Sequence, residues 1–402
     1  MLRIAITLLV ALASLTATAQ EVLLRHALSG KPLDALATLV VRFNDEQKGR
    51  GRIVLQDLDS VADRQQLPGL ALLNDDDAWA FFETRPRYKH MADVMKQEKQ
   101  PFDASRFYPQ VADAVGDMFG RPQALPLALA LPVLFYNKAA FAKAGLDPEL
   151  PPATWWEVQQ VAGKLFDAGY RCPLTTSRFA WVHLENLATQ HSEPALLRGA
   201  KGERFAFNNL VEVKHVALLA SWYKSSYFKY FGPGREGDAK FISGECTMLT
   251  GESALIGQLP DDLRFAVGVA DLPYYEDVYG ARRNNVIPDG AILRALPGKK
   301  KDDYKLMARF VAFLLRPEVQ REWVRQTGFL PMTPGAAEGA NVAEAVRTRL
   351  AAPRQSYPRT RLDFGRQRVR EILDEEIDLV WKNVKPAKEA LDDAMRRANA
   401  VH

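Results

Sequence analysis

The sequence is poor in cysteine, has no long apolar run, and lacks the short motifs that mark the common exported enzymes. Among 402 residues the only cysteines are Cys172 and Cys246. A disulfide-stapled miniature fold is therefore excluded. Their spacing leaves open whether the two form a bridge or stand as separate buried thiols. No stretch reaches the roughly 18 apolar residues of a membrane span. The patterns G-x-S-x-G, H-E-x-x-H and C-x-x-C are all missing, which removes the usual hydrolase, zinc-protease and thiol-redox signatures. His183 and His191 are eight apart and lack further partners for a metal, so both are expected to be plain polar residues. No cofactor, metal or catalytic residue is expected. An excess of basic charge is missing too: 53 Lys and Arg face 49 Asp and Glu, interspersed along the chain. That argues against nucleic acid as a partner, because a phosphate-tracking surface concentrates its cations.

What is present is a soluble composition, 47% hydrophobic and 25% charged, on a chain too long for one core. Two domains are expected. The first residues read as an export signal: a positive start at Met1-Leu-Arg3, an apolar region from Ile4 to Leu15 and an A-x-A site at Ala17-Thr-Ala19. The mature chain is expected to begin near Gln20. No cysteine stands at the cleavage point, so lipid attachment there is not expected and the periplasm is the expected address.

Strand and helix patterns alternate from there. Val22 to Leu24, a helix with Leu36, Val40 and Phe43 on one face, and Ile53 to Leu55 make a βαβ unit. Leu70 to Leu73 is a further strand. Loops after strands line ligand crevices in open α/β sheets, which makes His26 and Asp75 candidate cleft residues. A doubly interrupted apolar run, Leu125 to Tyr136 with Pro126 and Pro132, reads as a buried extended segment crossing from one lobe to another. Thr154-Trp-Trp-Glu157 is a capping box. Trp155 in its first turn reads either as an ordinary core residue or as an aromatic platform held by a proline-stiffened loop. Beyond the strand Cys172 to Thr175 lies Ser177-Arg-Phe-Ala-Trp181, with Trp181 a binding candidate. The strand Cys246 to Leu249 leads into Thr250-Gly-Glu-Ser253, where a strand-to-helix turn presents backbone N–H groups beside Glu252 and Ser253. Asn285 to Leu293, interrupted at Pro288-Asp-Gly290, reads as a second crossing.

Several runs carry a resemblance. Pro132-Val-Leu-Phe-Tyr-Asn-Lys138, Phe141-Ala-Lys-Ala-Gly-Leu-Asp-Pro148, Trp181-Val-His-Leu-Glu-Asn186, Phe241-Ile-Ser-Gly-Glu-Cys246 and Thr327-Gly-Phe-Leu-Pro-Met-Thr333 resemble the extracellular solute-binding proteins of ABC transporters. The likeness extends in particular to members that bind sn-glycerol 3-phosphate and glycerophosphodiesters. It implies an α/β, two-lobe periplasmic binding protein fold of type II, each lobe a sheet flanked by helices, joined by crossing hinge strands. The implied lobes are 20–127 with 283–330 and 128–282 with 331–402. The implied partners are a small-molecule solute and membrane permease subunits, and a monomer is expected.

By the same resemblance Trp155 would be a stacking aromatic, Gly290 a close backbone approach to a phosphate, Arg370 the cation beside it, and Asp75 a carboxylate at the polar end. The departures point elsewhere. Ala130 and Phe329 stand where hydroxyls are usual, Glu252 stands in place of a serine, and a tyrosine usual near Val61 is missing. A carboxylate near a bound phosphate is repulsive. A neutral or cationic polyol-like solute is therefore expected, with sn-glycerol 3-phosphate as the alternative ligand and an exported hydrolase or a sensor as alternatives of another class.

Overall fold

The computed structural model describes residues 20–59, 67–82, 87–116, 122–193, 196–199, 202–340, 342–352 and 367–401. The expected signal peptide and Val61 lie outside them. Glu21–His26 (β1), Arg52–Asp57 (β2) and Leu70–Leu73 (β3) form the predicted parallel unit, with β1 hydrogen-bonded to both others. The helix Gly30–Gln47 covers them with Leu36, Leu39, Val40 and Phe43 buried. Those positions recur at helical spacing, which is why the helix lies along the sheet.

The first apolar run splits into two strands, Leu125–Ala130 (β4) and Pro132–Asn137 (β5), every residue of both being buried. Only Leu131 separates them, yet they belong to different sheets. In chain order the remaining strands are Leu174–Thr176 (β6), the hairpin pair Leu196–Gly199 (β7) and Gly202–Phe205 (β8), Phe228–Lys229 (β9), Met248–Glu252 (β10), Val267–Asp271 (β11) and Asp289–Ala295 (β12). The first sheet has the order β2-β1-β3-β12-β4 and the second β11-β5-β10-β6-β9. β12 runs antiparallel to β3 and β4, and β5 antiparallel to β10 and β11. The fold is thus α/β with two helix-flanked sheets.

The crossings are pinned by hydrogen bonds. Leu131 N–H donates to Ser253 Oγ at 3.0 Å, and Ser253 N–H donates back to Leu131 O at 2.8 Å. At the second crossing, Ile287 N–H donates to Asn186 Oδ1 at 2.7 Å, and Trp181 Nε1 donates to Ile287 O at 3.1 Å. The sheet therefore changes at Leu131 and just before Asp289, a few residues beyond the 128 and 283 expected. Past 331 the chain first stays near the first lobe. Helix Pro334–Ala337 packs on helix Pro317–Thr327, and Arg349 of helix Glu344–Ala351 reaches across to Asp271 at 2.7 Å. The helices Gln367–Trp381 and Ala387–Ala400 then pack together against the second core.

Cys172 and Cys246 are joined by a disulfide, with Cα atoms 4.5 Å apart. The bridge ties the approaches to β6 and β10 within the second lobe. It resolves the pairing in favour of a single bridge.

Candidate functional site

A cavity of about 240 Å³ lies between the lobes. This is below the roughly 300–1,000 Å³ of drug-sized sites, so it suits a small solute. The first lobe contributes Ala27 to Ser29 after β1, Asn74 and Asp77 after β3, Ala128, Gly290 and Phe329. The second contributes Arg178, Trp181, Arg235, Glu252 and Asp374. The strand-end loops of both sheets therefore meet at one place, as open α/β sheets place their ligand crevices.

Arg178 is at the centre of the site's charge. Its backbone takes the left-handed conformation, φ 54°, and its N–H donates to Gly234 O at 2.6 Å. That conformation is uncommon outside glycine and directs the side chain into the cleft. One guanidinium nitrogen donates to Glu252 at the end of β10, the other to Asp289 at the start of β12. The guanidinium also lies over the Trp181 ring, 4.8 Å from its centroid. Burial works to lower the Arg178 pKa, but Asp289 and Glu252 outweigh it and hold the group protonated above its usual range. Arg235 pairs with the other Glu252 oxygen at 2.5 Å. The carboxylate that looked repulsive in the sequence is thus clasped by two cations, neither of which sequence reasoning had singled out.

The sequence candidates divide into two groups. Trp181, Glu252, Gly290 and Phe329 line the cavity. Phe329 is stacked on Trp323, with centroids 5.9 Å apart, so it offers a rigid apolar wall. Gly290 has φ 144°, and a Cβ there would meet Ala128 O at 2.1 Å, so only glycine fits. Ser253 faces the crossing instead, its hydroxyl taken by Leu131. Ala130 is sealed inside the first sheet opposite Asp289, and Ala128 lines the cavity in its place. His26 is buried at the end of β1, where desolvation lowers its pKa with Asp57 opposing. Asp75 opens helix Asp75–Phe82 and Arg370 sits in helix Gln367–Trp381, with both side chains outside what the structure describes.

Trp155 takes the core position that was one of its two sequence readings. It is 1% exposed and packs in the second core, its ring 4.6 Å from that of His215 and 5.4 Å from that of His183. It shares the buried face of helix Trp155–Asp167 with Val158, Ala162 and Leu165. Helical spacing turned it into the second core.

The histidines were also under-read. His183, on the buried π-helical turn Trp181–Asn186, has Nδ1 2.8 Å from His215 Nε2 and Nε2 3.0 Å from Thr176 Oγ1. His215 Nδ1 lies 2.8 Å from Tyr275 Oη. Desolvation pulls the His183 pKa down to about 3 and that of His215 well below its usual value. Both rings are neutral at any ordinary pH and serve as hydrogen-bonded core. Among the described residues no group of three or more His, Cys, Asp and Glu is arranged to hold a metal ion.

The match to known proteins agrees with this architecture. Residues 53–349 match the family model described as bacterial extracellular solute-binding protein. The chain is 35% identical over 330 residues to the sn-glycerol-3-phosphate-binding periplasmic protein UgpB of Yersinia pseudotuberculosis, covering 78% of this chain and 74% of that one. Two solved structures share the fold at a TM-score of 0.72. One is a cyclic alpha-maltosyl-1,6-maltose binding protein from Arthrobacter globiformis, 21% identical, with 95% of this chain and 99% of that one covered. The other is UgpB from Mycobacterium tuberculosis in complex with glycerophosphocholine, 19% identical, with 95% and 98% covered.

Proposed function

The chain belongs to the bacterial extracellular solute-binding protein family, and we propose that it captures a small hydroxylated solute, uncharged or cationic, between its lobes and presents it to the permease of an ABC importer. Polyols, sugars and glycerol derivatives are the class. The observation that carries this reading is the cavity itself. It draws charged groups from both sheets onto one spot, with Trp181 and Phe329 as apolar walls. Guanidinium donors and carboxylate acceptors placed side by side match neighbouring hydroxyls, which both give and accept hydrogen bonds. A ligand that touches both lobes stabilises their closed arrangement by its differential contacts, which is what a permease can read.

The lobes we assign are 20–130 with 289–352 and 132–288 with 367–401. We read the protein as a monomeric receptor of the periplasm, and not as an enzyme. Calorimetric titration with glycerol, ribitol, glycerophosphocholine and a panel of sugars tests the reading. Micromolar binding of a neutral or cationic member supports it. Turnover of a glycoside or phosphodiester in place of stable binding would refute it.

A second reading is sn-glycerol 3-phosphate as the ligand, favoured by the relative at 35% identity that is named for it. The same titration separates the two.

A further inference from the structure

We propose that a groove on the flank of the second lobe, walled by Trp156 and Tyr227 and floored by Gly163, is a second ligand site that holds a neutral sugar ring. It shares no lining residue with the interlobe cavity, and the proposal does not rest on what the cleft binds.

The groove follows from one helix. Trp155, Val158, Ala162 and Leu165 take the buried face of helix Trp155–Asp167, which leaves Trp156, Gln159, Gln160 and Gly163 together on another face, spaced i, i+3, i+4 and i+7. With Tyr227 beside them they enclose about 350 Å³, within the roughly 300–1,000 Å³ of small-molecule sites. Gly163 sets the depth. A glycine inside a helix is destabilising relative to alanine, and nothing in the backbone calls for one here. An added Cβ would come no nearer than 3.6 Å to the Tyr227 hydroxyl, an ordinary contact. What the missing methyl group leaves is room on the groove floor.

The walls are held in place while the polar ends are free. Trp156 Nε1 donates to Asp277 Oδ1 at 3.2 Å, and Lys214, itself paired with Asp277, lies over the indole 4.8 Å from its centroid. Ser226, in the left-handed conformation at φ 61°, turns the chain after helix Leu210–Lys224. Tyr227 is then tied by its N–H to Trp222 O at 2.8 Å and by its carbonyl to Leu174 N–H at 3.0 Å, and its ring meets that of Phe166 edge-on at 5.7 Å. The Gln159 and Gln160 amides and the Tyr227 hydroxyl, by contrast, have no hydrogen-bond partner among the described residues. An indole offers flat apolar surface to the C–H face of a sugar ring, and each amide both donates and accepts, so it can match neighbouring hydroxyls. The described residues lining the groove are all uncharged, which fits a neutral ring.

The test is an NMR titration with methyl α-D-glucopyranoside, methyl β-D-galactopyranoside and maltose, read at the Trp156 indole N–H, which is identified by its loss in Trp156→Phe. A saturable shift with a dissociation constant on the order of 1–10 mM is expected for at least one of them. Gln160→Ala, at an exposed position, should weaken that binding by about two- to tenfold, the effect of one lost hydrogen bond. Gly163→Ala should weaken it as well while raising the melting temperature, because alanine is the better helix former. The opposite signs separate a groove floor from a packing glycine, whose replacement would lower stability. Neither residue lines the interlobe cavity, so any binding in the cleft should be unchanged in both variants.

The absence of a saturable shift with all three sugars at tens of millimolar overturns the proposal. So does a shift that both variants keep at full strength, since that is how a signal relayed from the cleft would behave. A shift produced by a proline-rich peptide and by no sugar overturns it too, and would make the groove a peptide surface. A silent groove leaves the reading of the cleft intact, and a cleft that binds no sugar leaves the groove signal readable.

Discussion

Trp155 and His215 pack ring against ring in the second lobe, 4.6 Å between centroids, and His183, hydrogen-bonded to His215, lies 5.4 Å from the same indole. The indole is therefore part of what holds the lobe together. Trp155→Ala is expected to cost about 3–5 kcal/mol, the usual range for emptying a buried tryptophan site. Solute affinity of the folded fraction should stay within about twofold, since the residue lies in the second core and does not line the cavity. Denaturant melts and calorimetry on the same sample check both parts. A loss of affinity larger than the loss of folded protein would return Trp155 to the cleft.

The two histidines make stability depend on acid. In the unfolded chain each takes up a proton near its ordinary value of 6.5, whereas the folded core holds His183 neutral down to about 3 and His215 well below its usual range. Their contribution is fully present above about pH 6.5 and is lost as pH falls, by up to ~1.4 kcal/mol per pH unit for each ring. Asp238 works the other way. Desolvation raises its pKa to about 6, against the Ser177 hydrogen bond, so protonation there favours the folded form as pH drops below that value. His26 and His191, lowered by burial, side with the two rings, and Glu212, raised well above its usual value by burial, sides with Asp238, so four rings face two carboxyls. Melting temperature is expected to fall between pH 7 and pH 5, and replacing both His183 and His215 by Gln should flatten that slope.

The sequence disclosed those parts of the site whose cause is local. The crossing at Leu125 to Tyr136 showed as an apolar run with two prolines, the helix start as the Thr154 and Glu157 capping box, and Gly290 as a glycine interrupting a strand. Arg178 could not be found that way. Its partners lie 74 and 111 residues along the chain, and an arginine in a loop carries no periodic signal. Trp155 was ambiguous for a related reason. Helical spacing already offered a core position, and the family likeness pulled it toward the cleft. Glu252 lines the cavity, and two arginines beside it reverse the repulsion its carboxylate suggested in the sequence.

The disulfide is the next lever. Cys172 and Cys246 close a loop spanning 74 residues inside the second lobe. Constraining a loop of that size in the unfolded chain is worth roughly 4 kcal/mol in the chain-entropy model. Reduction, or Cys172→Ser with Cys246→Ser, should lower the melting temperature of that lobe. Neither cysteine lines the cavity, so affinity measured well below the transition should be kept. Differential scanning calorimetry with and without reductant reads the first effect, and a titration of the reduced protein the second.

Gly290 offers the sharpest single change. At φ 144° an added Cβ would meet Ala128 O at 2.1 Å and the Leu129 Cα at 3.1 Å, and both contacts are backbone of the neighbouring strand β4. No flexible side chain can yield, so β12 and β4 must part at their cleft ends. Backbone strain at such a position costs of the order of 1–3 kcal/mol before the clash is counted. Because Ala128, Asp289 and Gly290 line the cavity together, the displacement also moves Asp289 from Arg178. Gly290→Ala is therefore expected to lower both stability and affinity, the second by more than tenfold, with the unfolded fraction measured separately by circular dichroism. Wild-type affinity in a folded Gly290→Ala protein would mean that the cleft floor does not take part in binding.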